Sequence, residues 1–285
     1  MRTYEELKTI LTNIKNNEHG IPDGIDINIL ITDMLRFIGH TDFELRDALI
    51  YSTFNTWGEE KILSTAQMKH ILDTCIDEDH LFFGIGEKAS DSVFTRSFSS
   101  LLISVALCMH EEDPFLTDAD IQSIKQTILC YVKQEKDYRG YVEGKGWAHA
   151  IAHIADALAN IVFLVGRDGL LEVLNATKTL VAVSDEIYCA GECERVSDIV
   201  INTIYTGICE REILTRDDII HWLDGFIANK DWWSGTTLSD YYLLANKKTF
   251  TRSLYFKLLI DEDIDEVVKE EICKYLFDVI KNALQ

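Results

Sequence analysis

Proline is nearly missing from the chain: Pro22 and Pro114 are the only two in 285 residues. No Ser/Gly tract stands in for it, so nothing reads as a flexible linker between domains. Long alternating runs of Val, Ile and Thr are also absent, which argues against a sheet-based fold. Cations are scarce, with 27 Lys and Arg against 48 Asp and Glu and a formal net charge of −21. Without a local basic patch, such a chain has nothing to neutralise a phosphate backbone, and nucleic acid is excluded as an expected partner. The apolar stretch at residues 101–109 is too short for a bilayer, and the one at 161–165 follows His149, His153 and Asp156, so no membrane partner is expected either. At the start of the chain, Glu5, Glu6 and Lys8 sit among spaced apolar residues. This predicts an amphipathic helix instead of an export signal.

Seven cysteines are present, an odd number with no second pair to match Cys189 and Cys193. That usage points to reduced thiols and a cytoplasmic protein, and not to a four-cysteine zinc site.

What is present is helix. Apolar residues recur at three and four over residues 3–16, 25–37, 42–57, 64–74, 92–110, 118–134, 146–165, 169–184, 192–209, 215–228, 239–258 and 263–283. Twelve helices predict an all-α chain of six stacked antiparallel hairpins, an α/α superhelix of the HEAT or armadillo kind spanning residues 1–285 as one domain. Thr41, Thr117 and Thr215 precede acidic first turns, the pattern of side-chain caps. One fragment recurs: Phe94-Thr95-Arg96-Ser97-Phe98 and Phe250-Thr251-Arg252-Ser253-Leu254, which suggests related positions in two halves of an array.

The most informative stretch follows Gly144 and Gly146. At about 100° per residue, His149, His153, Asp156 and Asn160 form one polar stripe. Ala148, Ala152, Ala155 and Ala159 flank it, which predicts a stripe facing a crevice. Two imidazoles a turn apart with a carboxylate could hold a divalent transition metal or serve as general base and orienting acid. The same groups could instead satisfy one another and fix helix packing, with Trp147 and Tyr141 plugging the helix start. The His-Glu-x-x-His pattern is absent, because Ala150 stands where its glutamate would be. No serine has the glycine elbow of a hydrolase nucleophile.

Arg46, Arg96, Arg195 and Arg252 each sit in a largely apolar helical stretch. Four converging guanidinium groups could bind a phosphate or carboxylate, or each could pair with Asp47, Asp91, Glu194 or another acid to lock neighbouring helices. Residues 84–87, Gly-Ile-Gly-Glu, lack the strand and lysine of a nucleotide loop and read as a turn before the Asp91 helix. Residues 231–242 concentrate aromatics that could line a crevice or close the end of an array.

Residues 139–156, Leu45-Arg46-Asp47, Glu87 with residues 91–99, Glu194-Arg195, and Asn246 with residues 250–256 together resemble an uncharacterised bacterial family catalogued as domain of unknown function 2785. The resemblance implies one cytoplasmic HEAT-like unit and no particular reaction. It marks Arg46, Asp47, Glu87, Asp91, Arg96, Trp147, His149, His153, Asp156, Arg195 and Arg252 as candidate site residues. The chain is thus expected to bind a small polar ligand, peptide or protein partner in a His/Asp-lined crevice, with a metal-assisted or His/Asp-assisted hydrolase and a purely structural scaffold as the alternatives.

Overall fold

The computed structural model describes residues 1–226 and 236–282, and the described chain is almost entirely helical. Its aromatic stretch at 231–242 therefore lies partly outside the described residues. The chain divides into two compact units, Met1–Ala157 and Leu158–Gln285.

Unit 1 contains α1 (Tyr4–Asn16), α2 (Ile27–Arg36), a π-helix (Glu44–Tyr51) running into α3 (Ser52–Glu59), α4 (Thr65–Cys75), α5 (Ser92–Glu112) and α6 (Asp118–Gln134). A short hairpin follows, with β1 (Tyr141–Val142) antiparallel to β2 (Gly146–Trp147), and α7 (Ala150–Ile161) begins three residues later. α2 packs on α4, while α3 and α4 both pack on α5. Thr3, Ser64 and Thr117 each form a reciprocal capping box with the residue three places on, satisfying amides that a helix start leaves open. The box expected at Thr41 does not form: Asp42 Oδ1 accepts from the Glu44 amide at 2.9 Å instead.

α5 is the core of unit 1. Phe94, Phe98, Leu102, Ile103 and Ala106 are essentially inaccessible, and each large side chain so buried stabilises by about 1.5–3 kcal/mol. Its serines fit because the hydroxyls of Ser97, Ser99 and Ser100 donate back to carbonyls of Phe94, Thr95 and Ser97, which spares them an unsatisfied burial. By length and composition, α5 is long and apolar enough to cross a membrane, and 83% of that window is buried inside the fold. The apolar stretch expected over residues 101–109 is the C-terminal part of this longer buried helix.

Unit 2 contains α8 (Arg167–Val181), α9 (Glu192–Ile204) continuing as a second π-helix (Tyr205–Glu210), α10 (Arg216–Asp224), α11 (Leu238–Ile260) and α12 (Glu266–Asn282). α9 packs on α8 and α11, and α12 packs on α10 and α11. Asn246, fully buried on α11, ties down the loop between α8 and α9: its Oδ1 accepts from the Tyr188 amide, and its Nδ2 donates to the carbonyls of Val183 and Glu186.

The repeated Phe-Thr-Arg-Ser fragment does not create equivalent environments. Phe94 and Phe250 are both buried, but Arg96 is inaccessible whereas Arg252 is exposed.

α1 is fastened to the segment before the π-helix through Asp42, whose carboxylate takes Lys8 Nζ at 2.7 Å and the Tyr4 hydroxyl. Burial pushes this carboxyl up, but the bonds from Lys8, Tyr4 and the Glu44 amide outweigh it and hold Asp42 down to about 2. A folded value below the unfolded value of about 3.9 gives stability that is present above that pH and lost as pH falls toward 2. Urea unfolding midpoints should therefore decline as pH drops from about 4 to about 2, and Asp42→Asn should flatten that part of the profile. An unchanged slope in the variant would remove Asp42 from this role.

Candidate functional site

The site begins with a buried cation. Arg46 sits in the π-helix of unit 1, whose widened turn presents Leu45 with Arg46 and Leu49 with Ile50 as adjacent inward pairs. π-turns are rare and often mark functional positions. The Arg46 guanidinium is wholly buried over the rings of Phe94 and Phe98, 4.2 and 4.7 Å from their centroids. It forms no ion pair among the described residues. Instead it donates to three carbonyls: His40 at 2.7 Å, Lys145 at 2.7 Å and Trp147 at 3.2 Å. Its Nε lies buried without a hydrogen-bond partner. Burial pushes Arg46 down to about 10, with the charges of Asp47, Asp42 and Asp91 opposing that fall, so it remains cationic at neutral pH.

Two of those carbonyls belong to the hairpin, and glycine makes the approach possible. Gly146 has φ +79°, and a Cβ there would lie 2.7 Å from Phe43 Cβ and 3.3 Å from Arg46 Nη2. Lys145, at the hairpin tip, reaches back to Asp91 at 2.6 Å. The amides of Ala148 and His149 donate to Gly140 and Arg139, and Val93, Phe94, Ala148 and Ala150 form a shared apolar cluster beneath.

His149 is not on the helix. It precedes α7 with φ +49°, a left-handed conformation that costs a non-glycine residue about 1–3 kcal/mol and persists only where surroundings enforce it. The predicted helix over 146–165 is thus corrected to a strand, a strained residue and a helix beginning at Ala150. The expected neighbourhood of His149 and His153 survives by this other route, with ring centroids 5.6 Å apart and edge to face.

The rings form a ladder from surface to core. Tyr141, 61% exposed, meets Trp147 edge-on at 5.0 Å; Trp147, 37% exposed, stacks on His149 at 4.2 Å; His153 then meets Phe98 at 5.1 Å. Both histidines are buried, and Nε2 of His149 and Nδ1 of His153 lie outside any hydrogen bond while the side chains keep other interactions. Asp156, half-buried on α7, makes its charge felt at Cys108 of α5, a thiol pushed up to about 11 by burial and then by Glu111, Glu112 and Asp156. Among the described residues, no three His, Cys, Asp or Glu side chains are grouped so as to hold a metal ion. His149, His153 and Asp156 are accordingly not such a group.

The remaining candidates are dispersed. Arg96 is also wholly buried, but it is neutralised: Nε and Nη2 grip Glu135 at 2.6 and 2.9 Å, and Nη1 donates to the carbonyls of Phe83 and Gly84 and to Ser92 Oγ. Glu135 also accepts from the Tyr131 hydroxyl and from the amides of Lys136 and Asp137. Glu87, exposed, accepts from Ser92 Oγ, and bonds from Ser92 and Ser90 hold its carboxyl below the usual range. Asp47 is half-buried, and burial raises its carboxyl against the pull of Arg46 and Lys15. Asn160, Arg195 and Arg252 belong to unit 2, and both of those arginines are exposed. Sequence reasoning passed over Glu135, although its place at the end of α6, just before Asp137 and Arg139, was the available signal.

By fold and site, this is an all-α protein whose unit 1 holds an aromatic-lined hairpin over a buried arginine. The chain belongs to the family described as protein of unknown function DUF2785, whose model matches residues 81–256, more than half of its length. The match takes in the hairpin and both histidines and leaves Arg46 and Asp47 outside. No curated protein and no solved structure matches the chain.

Truncating Glu135 should be severe. Glu135→Ala strands the Arg96 charge in the core and should cost about 3–5 kcal/mol in urea unfolding. Arg46→Lys should cost about 2 kcal/mol, because an ammonium cannot reach three carbonyls from one planar group. Hydrogen exchange at the Ala148 and His149 amides should quicken in Arg46→Lys well beyond the global loss of stability; protection that falls only in step with it would deny Arg46 its hold on the hairpin.

Proposed function

We propose that the chain is a binding protein in which the hairpin of unit 1 presents Trp147 and Tyr141 to a small polar ligand, a peptide or a protein partner. The observation that carries this reading is the pairing of exposed aromatic faces with an over-anchored backbone. Trp147 stays more than one-third exposed although His149, Tyr141, Arg46 and the hairpin ladder all fix its position. Rigid, partly exposed Trp and Tyr supply contact area with little conformational entropy to lose, which is why they concentrate at binding surfaces. Strain at His149 fits the same picture, since strained residues gather where a ligand is gripped.

The scaffold we propose is of the HEAT kind, with antiparallel helical hairpins stacked within each unit. Its support is that helices two apart in sequence pack together, α2 on α4 and α3 on α5 in unit 1, α9 on α11 and α10 on α12 in unit 2, as stacking of hairpin on hairpin requires. A reducing, cytoplasmic setting agrees with seven cysteines that are all free. The hydrolase alternative has less support, because the imidazoles lie buried behind Trp147. Internal partners account for Arg96 and for the Nη donors of Arg46, which favours a structural role for those two.

Labelling with 5-fluorotryptophan tests the placement. The Trp147 resonance, assigned through Trp147→Phe, should shift when pooled short peptides or small polar metabolites bind, and Trp147→Ala should weaken each hit by about tenfold or more. Hits that leave the Trp147 signal unmoved would sink this placement.

A further inference from the structure

The turn that carries the chain from α5 to α6 hangs on one ring. Asp113 leaves α5 in an extended conformation, φ −137° and ψ 90°, as suits the residue ahead of Pro114, and the chain then folds back toward the helix end. There His110, in the last turn of α5 and 6% exposed, takes two backbone amides on a single nitrogen: Nδ1 accepts from Phe115 at 2.9 Å and from Leu116 at 3.0 Å. The Phe115 ring meets the imidazole edge-on at 5.4 Å. One residue further, Thr117 opens α6 with its own capping box.

Two converging N–H groups fix the protonation of the ring. Nδ1 accepts only while it carries no proton, so the imidazole is neutral with its hydrogen on Nε2. A proton on Nδ1 would abolish both bonds and set a third donor against two, leaving two amides of the turn without a partner. The carbonyl end of a helix ordinarily favours a cationic histidine. Burial acts the other way and lowers the His110 value, with no charged group contributing among the described residues.

The charged groups of the surrounding elements are engaged or exposed. Glu112 pairs with Lys61 of the α3–α4 connection at 3.1 Å, and Asp120 of α6 takes the Thr117 hydroxyl at 2.7 Å, with Lys69 of α4 at 3.7 Å. Glu111, Asp113 and Asp118 are exposed. Carboxylates change charge well below the range of histidine, and the bonds from Thr117 hold Asp120 lower still. Between neutral pH and about pH 5, His110 is therefore the contact of this turn that titrates.

We infer that His110 is a proton-operated latch on the α5–α6 turn: neutral imidazole holds residues 113–117 against the end of α5, and protonation in mildly acidic surroundings releases them. A group that folding makes harder to protonate gives its stabilisation above the unfolded value of about 6.5 and loses it as pH falls. Opening frees the Phe115 ring and the last turn of α5. The latch is independent of the hairpin and survives its failure.

The test uses the full chain labelled with 15N. At about pH 7.5 the His110 ring should show Nδ1 as the bare nitrogen and Nε2 as the protonated one, and the ring should titrate below about 6.5. Protection factors of the Phe115 and Leu116 amides should fall by about threefold or more from about pH 7.5 to about pH 5.5, within the tenfold per unit that one proton allows. Core amides of α5, such as that of Leu102, should keep theirs. His110→Asn places an oxygen near the position of Nδ1 and cannot titrate, so the pH dependence at both amides should vanish. A ring that titrates at or above about 6.5, a bare Nε2 in place of Nδ1, or protection of the two amides that ignores pH would overturn the proposal. A fall of the same size in His110→Asn would do so as well. If that variant does not fold, the ring titration and amide protection of the parent chain decide the matter alone.

Discussion

Unit 1 depends on a cation buried without a counter-ion. A guanidinium in the interior is tolerable only if most of its donors are satisfied and its charge is spread, and Arg46 meets these conditions by unusual means, with Nε alone left without a partner. Carbonyl oxygens take its Nη donors, and the faces of Phe94 and Phe98 take its charge. Because two of those carbonyls sit on the hairpin, the arrangement that makes Arg46 bearable also sets the position of Trp147. The demands then pass outward. Gly146 has to lack a side chain, and His149 has to take a left-handed backbone so that the chain can enter α7.

Arg96 solves the same problem differently. Its charge meets that of Glu135 in a two-pronged bond, and Tyr131, Ser92 and two backbone carbonyls complete the set. The two arginines lie in neighbouring elements and would be equivalent on a helical wheel of apolar residues. Their surroundings separate a lock between α5 and α6 from an anchor for the hairpin. Arg252, in a nearly identical five-residue context, is neither, since its helix turns it to solvent.

The helices were legible because a period of three and four survives in any amphipathic segment, and every expected segment contains helix. The two π-helices were not: one extra residue per turn leaves apolar residues adjacent, a mark that ordinary periodicity absorbs without trace. The candidate stripe was half legible. His149 and His153 do come together, but not through helical spacing: the glycines at 144 and 146 belong to a hairpin that delays the helix start to Ala150, beyond His149. The partners of the arginines were the least legible part, since Glu135 and the carbonyls of residues 145 and 147 lie 39, 99 and 101 residues away. No local pattern encodes a contact of that range.

Those separations also set a clock. A ribosome adds about 5–20 residues per second, so α5 emerges with Arg96 uncompensated until Glu135 follows, and Arg46 waits roughly 5 to 20 s for the hairpin carbonyls. During that interval α5, a helix of 21 residues, has α3 and α4 to pack on but not the partners of the unit's buried cations. The nascent chain therefore passes through a stage in which its apolar helix α5 is complete while the partners of Arg46 and Arg96 have yet to be made.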